Sequence, residues 1–245
     1  MPSFALSRQV LAVAFCTALP LLAQAEPARF DGYEAFYRSL GGNLFEGAGS
    51  ELSLACTEAQ QCLWVNAMAA AVKRYDSERW SAPGALEGEP PAGMPEIAFD
   101  GQRLDIGERH WILAAVIDLA PTDWQAGASI DPEGLYSITA WRNGESFCLE
   151  LPAKGSGRAD RYTQVLLVQG QTLYNLPPLF ASCAAVREAP EGGVLYPSNA
   201  YLEETIDSEP IGLRVDYLQP GSKTPAEHHR LQFPDPQNPF AFEAR

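Results

Sequence analysis

The chain has 245 residues, 46% of them hydrophobic, and carries 17 basic against 31 acidic residues for a formal net charge of −14. That balance argues against nucleic-acid binding, and against docking on an anionic membrane through a basic patch, because both need clustered positive charge. Solubility, a cationic partner or a divalent metal each suit such a surface.

The first 25 residues have the three parts of a secretory signal peptide. Arg8 supplies the positive start, Val10 to Leu22 form an apolar core broken only by Cys16, Thr17 and Pro20, and Ala23-Gln24-Ala25 has the small-x-small pattern of a cleavage site. The apolar run is shorter than the roughly 20 residues that span a bilayer, so no membrane anchor is expected after processing. Phe15 before Cys16 also departs from the small residues that precede a lipid-modified cysteine. A mature protein starting near Glu26, periplasmic or secreted, is the expectation. Only Arg8 among the charged residues is lost with the leader, leaving 16 basic against 31 acidic residues, a net charge of −15.

Processing also removes Cys16 and leaves Cys56, Cys62, Cys148 and Cys183. An even number in an exported chain reads as two disulfides, and local pairing, 56 with 62 and 148 with 183, is preferred over the two other connectivities. No CxxC and no nearby histidine favour a zinc site instead.

A short helix opens the mature chain. Asp31 is its expected N-cap, Glu34 follows three residues later, and Tyr33, Phe36, Tyr37 and Leu40 form an apolar stripe before Gly41 and Gly42 end it. A second helix is expected from Thr57, with Gln60 completing a capping box, to about Tyr75. Trp64, Met68, Ala71 and Tyr75 share one face of it. Residues 81–96 hold Pro83, Gly84, Gly88, Pro90, Pro91, Gly93 and Pro95 and read as a linker or loop.

Beyond the linker the hydrophobic period becomes two. Asp100-Gly101, Asn143-Gly144 and Gln169-Gly170 each separate two strand-like runs and mark hairpins. Trp111 to Leu119 is apolar enough for a central strand covered on both faces. A short helix over 177–187 and a strand over 211–218 follow. From Gln219 onward, Pro220, Pro225, Pro234, Pro236 and Pro239 argue against regular structure, although Phe233, Phe240 and Phe242 favour an arm packed on the body. The expected fold is α+β, with N-terminal helices packed against a mainly antiparallel sheet. Its parts are a signal peptide (1–25), a helical region (26–80), the linker (81–96), a β-rich region (97–218) and a proline-rich C-terminal arm (219–245).

Motifs that carry chemistry are scarce. Gly155-Ser156-Gly157 lacks the outer glycine of a nucleophile elbow and reads as a hairpin loop. Three histidines are available as bases or ligands. His110, beside Glu108 and Arg109, is the candidate catalytic base. His228 and His229 are adjacent and are the candidate metal ligands, without the spacing of HExxH. Phosphate loops, the dinucleotide fingerprint and EF-hand loops are missing, and no cofactor is expected. Trp80 and Trp124 fall in expected loops, where exposed aromatics anchor sugars or proteins. The functional expectation is an exported, non-catalytic protein that acts by binding, as an inhibitor, immunity factor or envelope accessory protein, with a cationic protein as partner. The alternatives are a hydrolase of an envelope polymer using His110, and a sugar or small-ligand binder using Trp80 or Trp124.

Overall fold

A computed structural model describes residues 27–56, 62–66, 72–76, 79–84, 94–120, 130–131, 134–152, 154, 159–203 and 209–244, with 72–76, 79–84 and 159 described by backbone alone. The chain opens with β1 (Ala28–Phe30) and α1 (Tyr33–Ser39), followed by β2 (Ser50–Cys56), β3 (Cys62–Asn66), β4 (Val72–Asp76) and β5 (Arg79–Gly84). It continues through β6 (Ile97–Phe99), β7 (Arg103–Ile106), β8 (Arg109–Ile112), β9 (Ile117–Asp118), β10 (Ile138–Asn143) and β11 (Ser146–Pro152). The last strands are β12 (Thr163–Gln169), β13 (Thr172–Leu176), β14 (Arg187–Glu188), β15 (Val194–Leu202), β16 (Gly212–Leu218), β17 (Glu227–Gln232) and β18 (Phe242–Ala244).

The protein is therefore built from strands, and the expected α+β arrangement of helices on a sheet is overturned. α1 is the only α-helix among the described residues. Its aromatic stripe forms as expected, but Gly32 rather than Asp31 occupies the N-cap, without a side-chain hydrogen bond. The second helix is replaced by β3 and β4. Cys56 and Cys62 sit directly opposite each other in the β2–β3 pairing and are joined by a disulfide, which makes the chain reverse between them. Beyond Cys62, Trp64 and Val65 pair with Phe99 and Ala98 of β6. Aromatic and β-branched residues on a half-buried sheet gain more from such non-local partners than from a local helical stripe.

Ten strands form one sheet in the order β8-β7-β6-β3-β2-β10-β11-β12-β13-β9. β8 and β9 are nearly consecutive in the chain yet stand at opposite ends of this order, so the sheet curls until the turn at Leu113–Ala115 bridges its two margins. Trp111 of β8 seals the curl by donating its indole N–H to the Gln171 carbonyl in the β12–β13 turn (2.9 Å). At β9, Asp118 accepts from Asn175, which in turn accepts from Gln164 (2.9 and 3.0 Å). The enclosed core is apolar: Trp64, Phe99, Leu104, Ile138, Phe147, Leu149, Leu166 and Val168 meet inside it. The run from Trp111 to Leu119 is thus a margin and not a doubly covered central strand. Ile112 and Ile117 are 47% and 48% exposed.

All three marked hairpins form, between β6 and β7, β10 and β11, and β12 and β13. Gly144, at φ 58°, supplies the left-handed turn residue that the Asn-Gly pair announces.

The second sheet runs β1-β18-β17-β16-β15-β14 and joins the two ends of the chain, with Phe30 opposite Phe242. The proline-rich end is therefore regular where the proline spacing permits. Pro220 and Pro225 fall in the β16–β17 connection and Pro234, Pro236 and Pro239 in the β17–β18 connection, leaving 227–232 and 242–244 free to pair. α1 covers the inner face of this sheet, where Tyr33, Phe36 and Tyr37 meet Leu213, Val215, Tyr217, Leu231 and Phe242.

A third cluster joins the sheets, and through it runs the second disulfide, Cys148–Cys183. The short helix expected over 177–187 is a single 3-10 turn, Cys183–Ala185. Glu150 of β11 anchors this turn by accepting from Ser182 Oγ (2.9 Å) and the Cys183 amide (2.6 Å). Burial raises its carboxyl above the usual glutamate value, against those two hydrogen bonds.

Candidate functional site

Alternation along β15, β16 and β17 gives the six-stranded sheet two chemically different faces. On the inner face, Asn199 Nδ2 donates to the Tyr37 hydroxyl (2.9 Å) and to the Leu179 carbonyl (2.6 Å), while Tyr37 donates to the Phe180 carbonyl (2.9 Å). Beside them Arg187 caps the end of α1. Its Nε donates to the Gly41 carbonyl (2.7 Å), and its Nη1 donates to Glu227 Oε2 (2.6 Å). The guanidinium also lies 5.1 Å from the centre of the Tyr217 ring. Helix end, β14 and β17 are thereby joined through one cation.

His229 shares this face, with its Nε2 3.6 Å from Glu227 Oε2, an ion-pair distance beyond hydrogen-bond reach. Its ring is edge-on to Phe36 and Tyr217. Burial lowers the His229 pKa from its ordinary 6.5, which overrides the attraction of Glu227. The Arg187 hydrogen bond holds the Glu227 carboxyl below its ordinary 4.5. Burial drives the Tyr37 and Tyr217 hydroxyls upward, so both stay protonated. An ionised glutamate locked by arginine, a neutral histidine and two neutral tyrosines form a clamp that ties α1, β14, β16 and β17 together.

The outer face is open and is organised in cross-strand rows. Ser198, Asp216 and His228 form one row; Ala200, Arg214 and Arg230 form the next. Leu202, Gly212 and Gln232 continue into Glu243 and Arg29 in the third. Arg214 Nε contacts Asp216 Oδ2 at 2.8 Å, and Arg29 contacts Glu243 at 3.0 Å. Arg230, directly opposite Arg214, has no hydrogen bond or ion pair with the described residues. Like charges facing each other across strands destabilise a sheet, so this placement works against the fold locally.

Gly212, in the third row, is buried against β17. A Cβ there would collide with the Leu231 carbonyl oxygen, so the close approach of β16 and β17 demands glycine. Beside this close approach lies a cavity of about 250 Å³ lined by Leu202, Ile211, Arg230, Leu231 and Gln232.

The residues singled out from the sequence do not converge. His110 is exposed on β8 opposite Asp105, whose carboxylate is taken by Arg103 at 2.6 Å. Trp80 lies on β5, paired with Tyr75 of β4, in a stretch described by backbone only. Trp124 and the Gly155-Ser156-Gly157 string lie outside the described residues. Strand alternation sends His228 to the open outer face and His229 to the clamp, so the two histidines do not share a ligand. Among the described residues no group of three or more His, Cys, Asp or Glu side chains is placed to hold a metal ion. Arg214, Arg230 and Gln232 were not singled out. The signal for them was the period-two pattern of 212–218 and 227–232, the second of which the nearby prolines masked.

The chain matches no protein-family model, no curated protein and no solved structure.

Proposed function

We propose that the protein is exported and acts by binding, not catalysis, through the outer face of β15, β16 and β17. It fits the role of an inhibitor, immunity factor or envelope accessory protein. Export is supported by the two disulfides, which use all four cysteines that remain after the leader's Cys16, as expected in an oxidising compartment. No helix among the described residues is long and apolar enough to cross a membrane.

The observation that carries the binding reading is the exposed arginine opposite an exposed arginine, at Arg214 and Arg230. A local rule broken on an open surface, without a compensating partner for Arg230 among the described residues, marks a place where an external partner supplies the missing charge. The net charge of −15 led to the expectation of a cationic partner, but this face has the opposite local sign. The partner we propose therefore presents anionic groups to it.

The test is capture from an envelope extract at low and high salt, using wild type, Arg214→Glu, His228→Glu, and Arg103→Glu on β7 as a control. A partner retained by wild type and the control, lost by the two face variants and weakened by salt is the expected result. Equal capture by all four proteins, or no capture by any, overturns the assignment of this face.

A further inference from the structure

Resting on that reading, we infer that the cavity beside Arg230, between Leu202, Ile211 and Gln232, is the subsite for a partner's C-terminal carboxylate whose last residue is apolar. Three features converge there. Arg230 offers a planar fork of N–H donors with no carboxylate among the described residues to occupy it, and such a fork matches a carboxylate in bidentate geometry. Gln232 adds an amide on the same side of the sheet. Leu202 and Ile211, both part-buried, supply an apolar wall next to this polar rim.

The dimensions and charge narrow the ligand further. A cavity of about 250 Å³ is smaller than the roughly 300–1,000 Å³ of sites that enclose a whole drug-sized molecule, so it takes an end or a fragment. Asp216 and Glu243 flank the site and each already holds an arginine. One arginine is left over, which matches a single negative charge and leaves the second charge of a dianion such as a phosphate monoester without a counter-charge. An α-carboxylate with an apolar side chain on the adjacent carbon places charge and hydrocarbon as close together as Arg230 and Leu202 require. A glutamate or aspartate side chain carries no such group. Capture of a chain terminus is an established mode of peptide recognition.

The probes are acetyl-Gly-Gly-Leu with a free carboxylate, the same peptide as its C-terminal amide, and hexanoate. Each is titrated into the 15N-labelled mature protein while amide and arginine Nε resonances are followed. The free acid is expected to shift Gly212, Leu231, Gln232 and Arg230 Nε with a dissociation constant on the order of 1 mM. The amide should bind at least tenfold more weakly. Arg230→Met should lose the response to the acid, Arg230→Lys should retain part of it, and Arg103→Met should leave it intact. Equal binding of acid and amide, no shift at these residues, or an unchanged response in Arg230→Met overturns the subsite. Tighter binding of hexanoate than of the tripeptide reassigns it to a free fatty acid and overturns the peptide terminus. A partner still captured by Arg230→Met but lost by Arg214→Glu would sink the subsite while sparing the face.

Discussion

The curled ten-stranded sheet and the six-stranded sheet stabilise themselves by different means. Inside the curl the cluster is hydrocarbon and indole throughout, from Leu52 to Leu173; Trp111 and Asp118 make their hydrogen bonds at its rims, and the Trp64 indole N–H is buried in it without a partner among the described residues. Beneath α1, by contrast, Tyr37, Asn199, Arg187, Glu227 and His229 are woven into the packing, and Tyr217 Oη and His229 Nε2 are buried without a hydrogen-bond partner. An apolar core fails by loss of volume. A core with polar groups fails by loss of a partner, and it feels pH.

The largest separation of the two regions should come from truncation inside the curl. Phe99 is fully buried between β3 and β7 neighbours, and Phe99→Ala is expected to cost about 3–5 kcal/mol, since the closed sheet cannot collapse into the space left behind. Urea unfolding of the protein measures it, and a loss below about 1 kcal/mol would contradict a filled, closed curl. Under α1, Arg187→Met keeps much of the side-chain volume over Tyr217 but removes the donors to Gly41 and Glu227. The expected cost is about 1–3 kcal/mol, at the lower end because Glu227 retains access to water.

How much of this was visible beforehand depended on whether the deciding contact was local. The Asp-Gly, Asn-Gly and Gln-Gly hairpins, the aromatic stripe of α1 and both disulfide pairings were legible, because turn residues and helical spacing act over a few positions and four cysteines allow few pairings. β3 was not legible. Trp64 and Val65 fit a helical stripe equally well, and only their pairing with Phe99 and Ala98, far along the chain, selects the strand. β17 was hidden for a different reason, since prolines on both sides of 227–232 suggested an irregular arm when they in fact mark its two connections. The candidate site suffered most. A search for reactive residue types finds His110 and the tryptophans, whereas Arg214 and Arg230 become meaningful only once register sets them opposite each other.

Protonation offers a finer probe of the two regions. His229 has a lowered folded pKa, so its contribution to stability is in place above the ordinary 6.5 and is lost as the pH falls through the folded value. Glu227 acts with the same sign below 4.5. Glu150, between the sheets, runs the other way: its raised folded pKa gives a contribution present below 4.5 and lost as the pH rises through the folded value. His229→Gln should therefore flatten the decline in stability on acidification from 6.5. Glu150→Gln, which keeps an acceptor for Ser182 and Cys183, should gain on the wild type as the pH rises. Unfolding midpoints measured across this range check both signs, and a His229→Gln profile parallel to wild type would contradict a histidine held neutral by burial.

The smallest expected effect on stability belongs to the outer face, and there smallness is the informative result. Arg214→Ser removes an exposed contact with Asp216, worth at most about 1 kcal/mol, and at the same time relieves the like charge facing Arg230. The two changes oppose each other, so the unfolding midpoint should move by no more than about 0.5 kcal/mol in equivalent stability, of either sign. If the rows of the outer face served only to keep the sheet solvated, partner capture would follow stability and stay unchanged as well. Stability held constant while capture falls would mean that the arginine pair is maintained against the interest of the fold, for contact with something outside it.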